Sequence, residues 1–302
     1  MSLLKTIMQI LRLAGLAIAL SLSGCGGEDV SLAPADAQVT RSLADVRPIE
    51  WEALAGRRIF FGHQSVGRNI MTGMGEVLER NPQIQLRIVQ SDDPAAVTGA
   101  AFIQANIGRN GDPDSKGDAF RRAMDGGFGA RGGVAMFKYC YVDVLPGTDV
   151  EAMFQDYVQR MEVLKERYPA LTMVHVTLPL KRMRTGRREW AKRLLGRSND
   201  MALNAKRNRY NEMLRARYSG IEPIFDLAAL ESTRADGSRS AGRYQGRTVY
   251  TLAAEWTDDG AHLNPAAQRR AAEQLLVLLA TLALPGEHAA IGALERDTDR
   301  AN

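Results

Sequence analysis

Cysteine is nearly absent from this chain, with Cys25 and Cys140 alone among 302 residues. Two cysteines make no disulfide framework, so stability has to come from a hydrophobic core rather than from covalent staples. Histidine is also scarce. Four histidines, without Cys/His ligand spacing and without a Glu-x-x-His, exclude the usual zinc arrangements, and no metal or other cofactor is expected. No internal repeat is visible, which excludes solenoids and propellers. Long apolar runs are missing too: Leu13 to Leu22 and Leu275 to Leu284 each fall well short of the roughly 20 residues a membrane-spanning helix needs. The formal net charge of +4 is modest, and nothing points to nucleic acid as a partner.

The amino terminus has an organisation of its own. Lys5 and Arg12 precede the first apolar run, which leads into Leu22-Ser23-Gly24-Cys25. This stretch resembles a bacterial lipoprotein signal peptide over residues 1–24. The resemblance implies cleavage before Cys25 and a lipid on its thiol, leaving Cys140 without a partner. Gly26 stands where aspartate would suggest retention at the inner membrane, so an outer-membrane protein facing the periplasm is expected. A plain amino-terminal anchor is the alternative. Residues 25–48, rich in Ala, Ser, Gly, Asp and Pro, read as a flexible tether, and 286–302 as a disordered tail.

Residues 49–285 suffice for one α/β domain. Strand-like runs occur at 57–61, 84–89, 134–141, 171–178 and 221–227, and helical spacing follows Arg68 and covers 118–124, 150–168, 199–218 and 264–284; residues 90–117 read as a long loop. Alternating strands and helices predict a three-layer α/β sandwich with a five-stranded, mostly parallel sheet, whose sites form at the carboxyl ends of strands.

Two stretches carry candidate chemistry. In the first, Arg57 to Phe61 passes through Gly62-His63-Gln64-Ser65-Val66-Gly67 into a helix, presenting Ser65 at a helix start. Unpaired amides and the helix dipole there suit a nucleophile whose attack creates an oxyanion. Serine is also a preferred N-cap, and the stretch alone leaves both roles open. In the second, Asp259 stands three residues before His262, just ahead of an Asn264-Pro265 helix start. That spacing can hold a carboxylate beside an imidazole and fix the tautomer that accepts a serine proton. A capped surface loop would have the same pattern.

Ser65 after the first strand, with Asp259 and His262 sharing a motif before the last helix, resembles the SGNH (GDSL-type) hydrolases. Asn211 to Leu227 also looks like that family's penultimate helix and last strand. The resemblance implies a flavodoxin-like sheet and a Ser65–His262–Asp259 triad. The family's Gly-Asp-Ser is here Gly62-His63-Gln64-Ser65, and its Gly-x-Asn-Asp block, which supplies an oxyanion-binding asparagine, is replaced by Phe137 to Asp143. Gly108 with Asn110, or the Lys138 cation, are the substitutes visible in sequence, although Asn110-Gly111 is equally a turn signal. His63 could orient Ser65 or substrate, or be structural.

Three functions remain open: an esterase acting on acyl, including O-acetyl, esters of carbohydrate or lipid; an O-acyltransferase acting on surface polysaccharide; and a non-catalytic lipoprotein that binds glycan. Between Lys181 and Arg217 thirteen basic residues face three acidic ones, enough to attract an anionic surface or simply to solvate a helix. Oligomeric state is not legible.

Overall fold

The computed structural model describes residues 41–183 and 200–284. The signal peptide, Cys25, most of the tether, the centre of the basic segment and the tail lie outside the described residues.

The central strand is β1, Arg58–His63, buried from Ile59 onward. Side chains alternate across a strand, so Ile59 and Phe61 enter one core and Phe60 the other. A strand buried on both faces needs this unbroken apolar run. On one side β1 pairs in parallel with β3, Ala101–Asn106, from Arg58↔Ala101 to His63↔Asn106. On the other it pairs in parallel with β4, Gly133–Phe137, ending at Gly62↔Phe137. Short β2, Ile88–Gln90, and β5, Leu171–Met173, complete a five-stranded sheet of order β2-β3-β1-β4-β5, every pair parallel. One residue past β5, β6 (His175–Val176) pairs in parallel with β7 (Ile224–Phe225). With edge strand β2 set aside, the winding is flavodoxin-like.

The expected loop over 90–117 is corrected by β3, a central strand. Its apolar residues are buried on both faces, so no alternation marks it, and Gln104 interrupts the run. A hairpin of β8, Ala241–Tyr244, and β9, Arg247–Tyr250, was equally unforeseen. It turns through Gln245 and Gly246, both at positive φ. Helix α1, Pro48–Ala55, opens at the end of the stretch read as tether, and Arg41 within that stretch bonds buried Glu50 and Thr281.

Helices cover both faces. α2, Ser65–Arg80, and α7, Pro265–Thr281, share one core with α1; α3, Pro113–Ala123, α4, Val150–Arg167, and α5, Asp200–Tyr218, form the other. A short α6, Leu227–Ser232, follows β7. No helix among the described residues is long and apolar enough to cross a membrane.

The α2–α7 crossing depends on Gly73. A Cβ there would lie 2.2 Å from Gln268 O and 2.7 Å from Arg269 N. Backbone cannot rotate aside, so Gly73→Ala should cost toward the upper end of about 1–3 kcal/mol, outweighing the roughly 1 kcal/mol alanine returns in helix propensity. Gly75→Ala, whose Cβ meets nothing within 4 Å, should instead stabilise. Paired denaturant titrations check the contrast; equal midpoints would refute it.

Candidate active site

β1 ends in a turn held by its own side chains. Gln64 is the extended residue before α2, and its Nε2 donates to Ile107 O at 2.9 Å and Gly108 O at 3.0 Å, while Ile107 N donates to His63 O. The turn is thereby stapled to the loop leaving β3. Half-buried Ser65 opens the helix, where the first amides have no intrahelical acceptor.

His63 is placed beneath this turn rather than facing substrate. It is 2 % exposed, with Nδ1 3.1 Å from Gln64 O and Nε2 2.8 Å from the Gln104 amide. Burial pushes its pKa down to about 4, keeping the ring neutral. Gln64 O can only accept, so the single proton sits on Nδ1, and Gln104 must turn its NH2 toward Nε2. Gly67, where a Cβ would lie 2.3 Å from His63 Cβ, lets α2 rest on the ring. His63 is scaffold.

The late loop is built around Asp259. Its Oδ1 accepts from the amides of Ala261 at 2.7 Å and His262 at 2.8 Å, and its Oδ2 from His262 Nδ1 at 2.6 Å. Partial burial pushes the carboxyl pKa up, but these hydrogen bonds outweigh it and hold the group well below the usual carboxylate range. An ionised Asp259 on Nδ1–H leaves Nε2 with its lone pair free to accept. Leu263 N donates to Asn69 Oδ1 at 3.3 Å, tying this loop to α2 one turn beyond Ser65.

His262 Nε2 meets the Tyr141 hydroxyl at 3.4 Å, and among the described residues no hydrogen bond joins it to Ser65. Tyr141 lies in the 3-10 turn Tyr141–Asp143 beyond β4. Its carbonyl accepts from Arg207 Nε at 3.1 Å and Nη2 at 2.9 Å; the guanidinium is buried and also donates to Asn204.

On the other flank, Gly108 takes φ +57°, and a Cβ would strike the Lys116 backbone at 2.6 Å. Its amide has no partner among the described residues. Buried Lys116 and Asp143 hold the two flanks together. Lys116 Nζ donates to Asp143 at 2.7 and 2.5 Å, and Asp143 accepts from the amides of Gly111 and Cys140.

The two expected donors differ in their surroundings. Asn110 is exposed, with Oδ1 accepting from Lys116 Nζ at 3.1 Å and Nδ2 without a partner among the described residues. Lys138 is fully buried, its ammonium donating to Tyr139 O and Cys140 Sγ, out of reach of any substrate. Tyr141, Asn69 and Gln64 were not anticipated; the one sequence signal was that Tyr141 follows the carboxyl end of a strand beside the serine strand. Among the described residues no cluster of three or more His, Cys, Asp or Glu is placed to hold a metal.

No protein-family model matches the sequence, and no curated protein matches it. Solved structures with a related chain path include a protein described as an acylhydrolase from Bacteroides fragilis, 11 % identical with TM-score 0.43, covering 76 % of this chain and 88 % of that one. An acetyl xylan esterase is 14 % identical with TM-score 0.41, covering 73 % and 98 %. A carbohydrate esterase family 3 protein from Talaromyces cellulolyticus is 14 % identical with TM-score 0.40, covering 75 % and 96 %. Likeness at this level carries no argument about what this chain does.

In the basic segment the five described cations on α5 all have partners. Lys206 donates to Pro146 O and Thr148 O, Arg207 to Tyr141 O, Arg209 to Glu151, Arg215 to Asp226 and Arg217 to Glu162. These contacts account for that part of the segment without an anionic surface; Lys181 lies 3.9 Å from Asp200 Oδ1, and residues 184–199 lie outside the described residues.

Proposed function

We propose that the chain is a serine ester hydrolase acting on acyl esters, with Ser65 as nucleophile, His262 as general base and Asp259 as the group that orients it. The observation carrying this reading is the 2.6 Å contact of Asp259 Oδ2 with His262 Nδ1, on a loop tied through Asn69 to the helix that Ser65 opens. Nε2 takes the Ser65 proton as Oγ bonds to the ester carbon. The carbonyl electron pair moves onto oxygen, beside the free amides of Ser65 and Gly108. Collapse expels the alcohol, which takes the proton from Nε2, and water repeats the sequence on the acyl-enzyme.

The hydroxyl of Tyr141 on Nε2 favours one other reading, a fold retained for binding without catalysis. Covalent labelling separates the two. An activated aryl phosphonate should add its phosphonyl mass to the peptide containing Ser65, with release of the phenol. An intact, folded protein that takes up no label at Ser65 would overturn the hydrolase reading.

A further inference from the structure

The Ser65 turn lies between two loops. On the β3 side it is stapled to Gly108 through Gln64. On the β4 side, Gly62 O accepts from Lys138 N at 3.1 Å, so the chain leaving β4 toward Tyr141 starts directly beside the chain leaving β1 toward Ser65. The β3 flank brings a free amide to the turn. The β4 flank brings the Tyr141 hydroxyl.

Tyr141 is held firmly for a half-buried residue. Buried Arg207 holds its carbonyl with two hydrogen bonds, and buried Asp143 holds the amide of Cys140 just before it at 2.6 Å. Its ring stands edge-on to the imidazole at 73°, centroids 5.8 Å apart. Since Nδ1–H is committed to Asp259, Nε2 is an acceptor and Tyr141 O–H donates to it. At 3.4 Å that bond is long and easily given up.

We infer that Tyr141 is a third donor to the oxyanion, released from His262 by the proton transfer that creates the oxyanion; this rests on the Ser65 reading above. When Ser65 passes its proton to Nε2, the nitrogen becomes a donor and two hydrogens face each other across the Tyr141 contact. Rotation about the phenolic C–O bond removes that conflict and turns O–H toward the acceptor that has just gained charge, the former ester carbonyl oxygen. The proton stays on the tyrosine throughout, so the atoms and electrons of the hydrolysis are unchanged. The same hydroxyl caps the base at rest.

Tyr141→Phe removes only the oxygen. It should lower kcat for p-nitrophenyl acetate by about 100- to 1,000-fold, leave KM and the melting temperature near those of the parent, and weaken inhibition by a trifluoromethyl ketone, which mimics the oxyanion, by a comparable factor. A kcat equal to or above the parent's would overturn the inference and make Tyr141 only an obstruction of the base. A fall in kcat with ketone affinity unchanged would overturn it as well, because Tyr141 would then act on His262 alone. Failure of the Ser65 reading looks different: the parent protein itself would take no phosphonate label, and the inference would fall with it.

Discussion

Alanine at Ser65, alanine at His262 and alanine at both are expected to bring ester turnover down to nearly the same floor, on the order of 10⁴- to 10⁶-fold below the parent. Nucleophile and base act in one step: without Oγ there is no proton for Nε2 to take, and without Nε2 the hydroxyl stays protonated and weakly nucleophilic. Asp259→Asn tests the third member separately. The carbonyl of the introduced amide would still accept from the backbone amides of Ala261 and His262, so the loop is kept. Its NH2 would then face Nδ1, drive the ring proton to Nε2 and remove the acceptor Ser65 needs, a loss of about 10⁴-fold in the precedent for this chemistry. Initial rates with p-nitrophenyl acetate read all four variants. Parent-like turnover in Ser65→Ala would end the assignment, and a double variant far below either single one would show that the two residues do not work as a unit.

The parts of this site legible in sequence are those that close locally. Asp259 and His262 are three residues apart, so their contact follows from one turn, and Ser65 follows from a strand running into a helix. The groups that position them meet across the fold. Asn69 reaches Leu263, Gln64 reaches Gly108, and Arg207 reaches Tyr141. Each pairing depends on strand order, which spacing does not encode. Lys138 was a plausible oxyanion donor as a chemical type, yet it is sealed in the core, while Asn110 turns its carbonyl to Lys116.

The fold was legible where one physical signal dominated. Arg58–His63 and Pro265–Thr281 combine an apolar pattern with sharp glycine or proline boundaries. Ala101–Asn106 does not, since glycine, asparagine and aspartate surround it and polar Gln104 sits in its middle. That glutamine bonds His63 beneath the serine turn, so the residue that hid the strand is the one that holds this ring.

Replacing Lys116 by Met should destabilise the protein by about 3–5 kcal/mol, a large share of the roughly 5–15 kcal/mol a domain of this kind has. Both side chains of the Lys116–Asp143 pair are fully buried. Removing the cation leaves a carboxylate in the core with, among the described residues, only the amides of Gly111 and Cys140 to solvate it. Most of the loss comes from that stranded charge, not from the forfeited attraction. Adding Asp143→Asn to Lys116→Met should therefore recover part of the stability, because a neutral amide still accepts from a backbone amide and carries no charge to desolvate. Urea denaturation of the two singles and the double gives the coupling directly; Lys116→Met within about 0.5 kcal/mol of the parent, the range of an ordinary surface change, would refute this account of the pair. The same carboxylate fixes the loops carrying Gly108 and Tyr141 on either side of Ser65, so the folded fraction of Lys116→Met should also hydrolyse esters more slowly than the parent. The ion pair would then serve the site by tying together two loops that the helix start alone cannot position.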